Sequence, residues 1–484
     1  MSESMRTAAE RGARWLALST VLLTVFSFAQ NIAISRLLDR REVGLVGMLW
    51  AALGLAQVFH DMGLGSAVVQ RRDVTHKEIS TVFWLSAIAG FVLWLLIFAS
   101  APLVAAYYRE PSLLFLAPWV GAAFFFQSLG QPFYAVAQRE LRFGLLASTD
   151  LASAAAALVV SVAMAWNGAG AKAMLSGSVA AAATRCGLLS ILQRKSFWPS
   201  LYCRPKQIVS LLHFGAYQMA DKCLNYLGSN LDYILIGRVW GADPLAVYRT
   251  AYETALRPLA IINPVFNSVA YPIFARKQED DEALRQGLAQ GLRFVSGLAF
   301  PLLAGLAVTA DWAVLLLYGP KWAGAASILS ILCLTGALRC VVNLAGSVLL
   351  AKGRARRAFW LTVFNLALLA PAYAVAVGYG THAMAWASAG VLLFIACSTY
   401  GWIYTSMIQM PIGLYLRSLR GAGLSALGMA GGVLALRWSG VMESWHWGIQ
   451  FAISVLAGAV LYVALSWLLQ RELFGRLRSV IWKR

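Results

Sequence analysis

Apolar runs of about twenty residues or more alternate with short polar breaks along nearly the whole chain, from Trp15 to Trp467. A bilayer-spanning helix needs roughly 20 consecutive apolar residues, so each run is long enough to cross. The pattern predicts 14 helices, with cores at residues 15–35, 43–65, 80–107, 113–137, 144–166, 171–192, 208–237, 245–275, 288–310, 323–351, 359–378, 384–404, 416–436 and 448–469. Period-two alternation is weak and short strands are absent, which argues against an outer-membrane barrel. The expected fold class is all-α and polytopic.

Two halves of this pattern repeat. IAISRLLDRREVGLVGM, from Ile32, aligns with ILIGRVWGADPLAVYRTA, from Ile234, matching Arg36 to Arg238 and Val46 to Tyr248. Further on, APLVAAYYREP near Tyr108 resembles DWAVLLLYGPK near Tyr318. The offset is about six helices, an even number, so both halves enter the membrane in the same sense and their pseudo-axis runs along the membrane normal. The expected organisation is a six-helix lobe over residues 1–200, a second over 201–408, and two appended helices with a basic tail over 409–484.

The stretch from Gly215 to Arg276 breaks the apolar rule most strongly. Asp221, Lys222, Asp232, Arg249, Glu253 and Arg257 lie inside two long apolar helices. A charge facing lipid costs roughly 2.5–3.5 kcal/mol on insertion scales, so these must face protein or water. Gln218, Asp221, Asn225, Gly228 and Asp232 recur at steps of three and four, which places them on one stripe of the first helix. Arg249, Glu253 and Arg257 form a four-residue ladder on the second. Two readings fit: a salt-bridge network pinning two helices, or the wall of a water-filled, charge-lined transport cavity. Helical rise puts Lys222, Arg257, Arg339 and Arg185 at one depth, with Arg293 and Asp150 nearer one face and Arg249 and Asp232 nearer the other. Such a series can pass an anionic group along, although Arg185 and Arg293 are also placed to snorkel toward headgroups. Pro258, Pro264 and Pro272 predict a kinked or partly unwound second helix.

Composition then limits the alternatives. The 484 residues are 60% hydrophobic and carry a net charge of +19. In a soluble protein that charge would suggest nucleic acid, but 26 Lys and Arg gather in alternate loops against 8 in the loops between. This positive-inside pattern places both termini in the cytoplasm and leaves no reason to expect a nucleic-acid partner. The apolar run through Leu38 is too long for a cleaved leader and reads as the first span. Six scattered cysteines show no metal-ligand spacing and no disulfide framework. No phosphate-binding GxxxxGK[ST], HExxH or Gly-x-Ser-x-Gly occurs, so no enzyme, cofactor or metal is expected. The acidic run Glu279–Glu282 reads as a solvated loop, and Gly287 to Gly291 as a GxxxG spacing that permits close helix contact.

The stretches SRLLDRREVGLVGM, DMGLGSAVVQRRDVTHKEISTVFW, QRELRFG, SNLDYILIGRVWG, YPIFARKQ, FPLLAGLAV, LYGPKW and GSVLLAKGR resemble those of Wzx-type polysaccharide flippases. They are most similar to the colanic-acid-exporter-like branch of the superfamily that also holds multidrug and toxin extrusion proteins and lipid II flippases. The resemblance runs from Trp15 to about Tyr404. It implies a V-shaped pair of six-helix lobes in the inner membrane. It further implies movement of undecaprenyl-pyrophosphate-linked oligosaccharide repeat units to the periplasmic leaflet, where a polymerase takes them.

On this reading Lys222, Arg249, Arg257, Arg339, Arg185 and Arg293 are the candidate substrate cations, with Gln218 and Asn225 as polar cavity residues. Tyr217, Tyr226, Tyr233 and Trp240 are candidates to stack on sugars. Asp221, Asp232 and Glu253 are candidate carriers if H+ or Na+ drives exchange; Glu253 lies between two arginines, which favours the two aspartates. A membrane polymerase and a chain-length regulator are the expected partners beside the lipid-linked oligosaccharide. Two rivals stand: a multidrug-type exporter on the same scaffold, disfavoured by the basic balance of the helix interiors, and a non-transporting scaffold for a polysaccharide assembly complex.

Overall fold

Backbone polar groups in hydrocarbon have no water to bond, so a chain this apolar must satisfy them within its own segments. Accordingly, helices make up the regular secondary structure of the computed structural model, which describes residues 3–57, 68, 74–202, 209–276, 279–442 and 444–469. The helices are α1 Glu3–Leu37, α2 Arg40–Leu53, α3 His76–Tyr108, α4 Leu113–Arg139, α5 Phe143–Trp166, α6 Lys172–Leu192, α7 Val209–Trp240 and α8 Ala242–Arg276. They continue as α9 Asp281–Val308, α10 Ala310–Tyr318, α11 Ala325–Ala351, α12 Ala355–Ala376, α13 Thr381–Thr399, α14 Ile412–Trp438 and α15 Trp447–Leu469. Among the described residues 11 candidate spans have the length and hydropathy to cross a membrane. The chain is thus a multi-pass membrane protein. Of the 14 expected spans, α2, α7 and α8 are not among those 11: the described part of α2 has 14 residues, and α7 and α8 carry the charges named above.

Helix starts follow local chemistry. Thr75 and Glu78 form a reciprocal cap on α3, with the Thr75 amide donating to Glu78 Oε2 at 2.7 Å and the Glu78 amide to Thr75 Oγ1 at 3.3 Å. Asp39 and Glu42 do the same for α2. Only part of the acidic run is loop: Glu279 lies in a turn before α9. Asp280 caps α9, accepting from the Ala283 amide at 2.9 Å, while Asp281 and Glu282 fill its first turn and pair with Lys352 and Arg285. The helix dipole favours carboxylates there.

By packing, the chain divides into Met1–Ala246 and Val247–Arg484. In the amino-terminal unit, α3 to α6 pack together, α1 lies along α5, and α2 packs on α7. Gly44 lets α2 come close to the junction after α7, because a Cβ there would run into the carbonyl oxygen of Ala242, the first residue of α8. In the carboxy-terminal unit, α9 packs against α11 and α14, α11 against α13, and α14 against α15. Gly287 and Gly291 do hold a close contact: a Cβ at either would lie 2.8 Å from the Phe274 ring or 2.6 Å from the Phe266 ring of α8. A second GxxxG, Gly428 to Gly432, receives Leu465 and Leu461 of α15 in the same way.

The repeated stretches fall at comparable places. Arg36 and Arg238 stand in the last turns of α1 and α7, and α4 and α11 each have 27 residues. The partner of α3 is broken into α9 and α10 at Thr309. The expected unwinding of α8 at its prolines is not seen, since α8 runs as one 35-residue helix. Each proline removes a single backbone hydrogen bond and its fixed φ is helical, so well-separated prolines need not end a packed helix.

Candidate functional site

The four-residue periodicity of α8 delivers the charges of the carboxy-terminal unit to one face. Arg249 Nε donates to Glu253 Oε1 at 2.7 Å, and Arg257 Nη2 stands 3.9 Å from Glu253 Oε2. Their side chains retain 19%, 27% and 27% of their surface, so screening by water is only partial. From α11, Arg339 places its guanidinium carbon 5.3 Å from the centre of the Tyr252 ring. Tyr252 stacks in turn on Tyr248, with ring centres 6.2 Å apart. Gly336, one turn before Arg339, lets α11 approach, since a Cβ there would sit 3.4 Å from the Ala255 carbonyl oxygen. Behind the ladder, Thr254 Oγ1 and the Tyr318 hydroxyl share a 2.7 Å hydrogen bond that ties α8 to α10.

Two guanidiniums therefore flank one carboxylate on α8, and a third, that of Arg339, stands beside the ring of the adjoining Tyr252. Arg presents a planar fork suited to bidentate contact with phosphate, and the Tyr252 ring gives one of these cations a π face to rest against. Such a set can bind a diphosphate-like anion. Arg293 is half-buried on α9 of the same unit.

The remaining expected residues lie in the amino-terminal unit. Arg185 of α6 pairs with Asp150 of α5 at 2.9 Å and lies 4.3 Å over the Tyr134 ring of α4. Lys222 and Asn225 are exposed on α7, whereas Asp232, on the same stripe, is buried and accepts the Tyr233 amide at 2.9 Å. The side chains of Gln218, Asp221 and Tyr217 fall outside the described residues. Two sugar-stacking expectations meet structural roles instead. The Tyr226 hydroxyl donates to the Trp50 carbonyl, and Tyr233 is buried, because α7 packs on α2. Among the described residues, no group of three His, Cys, Asp or Glu comes together as a metal site.

Sequence reasoning passed over Tyr252 and Tyr134. Tyr248 and Tyr252 flank Arg249 and Glu253 at the same four-residue step, a signal that was available. Nothing in the sequence linked Tyr134, Asp150 and Arg185, which sit on three different helices.

A cavity of about 800 Å³ between α9, α11, α13 and α14 is lined by apolar residues such as Phe300, Leu334 and Leu419. It contains none of the charged candidates, and a lipid-facing apolar recess is ordinary within a bilayer.

The model of the polysaccharide biosynthesis protein family matches residues 33–327. Among characterised relatives, the chain is 31% identical over 471 residues to the teichuronic acid biosynthesis protein TuaB of Bacillus subtilis (strain 168), covering 94% of each. It is 31% identical over 372 residues to the lipopolysaccharide biosynthesis protein WzxC of Escherichia coli (strain K12), covering 77% of this chain and 76% of that one. Its fold is similar to the inward closed conformation of the lipid II flippase MurJ, with a TM-score of 0.76 at 13% identity over 94% of this chain and 99% of that one. An inward-facing multidrug resistance MATE transporter follows at 0.63 and 14%, over 82% and 99%.

Proposed function

This chain belongs to the polysaccharide biosynthesis protein family, and from that premise we propose that it is a flippase for lipid-linked oligosaccharides. A headgroup carrying phosphate and sugars cannot cross hydrocarbon unaided, because desolvating its charge costs far more than its lipid tail returns. The protein shelters the headgroup while the polyprenyl tail stays in lipid. The single observation that carries this reading is the basic set on two long helices, with Arg249 and Arg257 flanking Glu253 on α8 and Arg339 of α11 beside the Tyr252 ring. A net positive cluster inside apolar helices favours an anionic cargo over the cations of a multidrug exporter.

The finer reading is an undecaprenyl-pyrophosphate carrier, moved by alternating access from the cytoplasmic to the periplasmic leaflet of the inner membrane. On this reading both termini lie in the cytoplasm, the lobes span 1–200 and 201–408, and Lys222, Arg185 and Arg293 are further candidate cations for the cargo. Asp221, Asp232 and Glu253 are the carriers where H+ or Na+ is exchanged, and a polymerase with its chain-length regulator receives the product. The test is a deletion strain complemented with Arg257→Glu or Arg339→Glu, reading surface polymer and accumulated lipid-linked repeat units. Loss of polymer with accumulation inside is the expected result. Normal polymer from both variants, or from Lys222→Gln with Arg257→Gln, would favour the scaffold role and sink the transport reading.

A further inference from the structure

The Asp150–Arg185 pair does something a structural salt bridge does not require. Its members come from neighbouring helices at 2.9 Å, yet the Arg185 side chain keeps 36% of its surface against 22% for Asp150. The guanidinium stands beside the carboxylate and 4.3 Å from the centre of the Tyr134 ring, and the side chain is still part-exposed. A small cavity beside it, about 20 Å³, is lined by Gln127, Gln131, Tyr134 and Cys186. The cavity is too small for an anion, so an anion reaches Arg185 over its exposed surface and competes there with Asp150 for the guanidinium.

We infer that Arg185 is a second anion station, and that Asp150 is its built-in, displaceable competitor, which the phosphate of the cargo replaces on binding and which takes the guanidinium back on release. The inference rests on the transport reading above and adds Asp150, to which that reading gives no role. Its physical reason is turnover. An arginine held in a weakly screened site with no resting partner would bind a phosphate tightly and let go slowly, whereas a pathway needs sites weak enough to leave. Asp150 supplies the resting partner, and Tyr134 holds the guanidinium plane in place while its edges change partners. No bond is made or broken; one ion pair replaces another.

The test uses the full chain in nanodiscs and methanedisulfonate, a dianion that stays fully ionised, as the probe. Calorimetric affinity is compared for wild type, Asp150→Asn, Arg185→Gln and the double variant. With the competitor removed, Asp150→Asn should bind about tenfold tighter, the equivalent of one charged hydrogen bond. Arg185→Gln and the double variant should be equally weak. Polymer export by Asp150→Asn should fall although binding improves, a split that a merely structural pair would not produce. Unchanged or weaker binding by Asp150→Asn overturns the inference, as does wild-type affinity in Arg185→Gln. Should Asp150→Asn fail to fold, the infrared difference spectrum of the wild type on adding the dianion decides. A carboxylate band that shifts, and does not shift in Arg185→Lys or Arg185→Gln, supports the exchange; no carboxylate change overturns it. If the exchange fails while Arg257→Glu still blocks export, the transport reading stands; if neither holds, both fall.

Discussion

Glu253 is held between two arginines one turn away on either side, and its geometry decides how the α8 face behaves. The 2.7 Å contact to Arg249 is a charge-assisted hydrogen bond in a partly buried setting. Its loss in Glu253→Gln should lower stability by about 1–3 kcal/mol, within the range for hydrogen bonds to charged groups, read as a fall in melting temperature in detergent. Arg339 offers a sharper contrast. Lysine keeps the charge but has no plane to lie on Tyr252 and no fork for a phosphate. Arg339→Lys should therefore restore surface polymer only partly and Arg339→Gln scarcely at all, with both proteins present at wild-type level in the membrane. The ladder itself was legible in the sequence, because residues four apart on one helix must share a face. The Arg339–Tyr252 and Arg185–Asp150 contacts were not, because each joins two helices whose relative rotation no local pattern encodes.

At the scale of elements, backbone approach sets the contacts. Gly44 of α2 meets the carbonyl of Ala242, and a backbone atom cannot swing aside as a side-chain tip can. Gly44→Ala should accordingly destabilise the protein by about 1–3 kcal/mol, the usual cost of overpacking, measured as a drop in melting temperature. Gly423→Ala, whose added Cβ would have only the Phe300 ring at 4.0 Å, should leave it unchanged. Helix positions were well predicted by apolar runs, and the ends less well. The apolar run of α9 begins at residue 288, seven residues inside the helix's start at Asp281, because the acidic residues before it carry no apolar signal. The same acids are what a helix N-terminus favours, so the pattern admitted two meanings and only the cap on Ala283 selects one. The prolines of α8 misled in the opposite sense: they weaken a helix locally, but packing retains it.

At the scale of the whole molecule, the distribution of Lys and Arg predicts orientation. With the six native cysteines replaced, single cysteines at Lys195 and Lys172 should react with an impermeant maleimide from opposite sides of the membrane, Lys195 from the cytoplasm. Labelling of both from one side would overturn the assigned topology. This much needs no coordinates: hydrophobic length makes a segment span, loop charge orients it, and a matched pair of halves follows from the repeat around Arg36 and Arg238. Those properties are one-dimensional, since each depends on what a segment is made of and on its distance from the next.

Which charges meet is a different kind of fact. Spacing alone put Lys222, Arg185, Arg257 and Arg339 at one depth, and folding then gave Arg185 an aspartate from α5 and Arg339 a tyrosine from α8, while leaving Lys222 exposed on α7. A helix fixes the angular position of its own side chains, but its rotation about its axis and its choice of neighbour emerge only when glycines, aromatic rings and backbones from distant stretches are packed against one another.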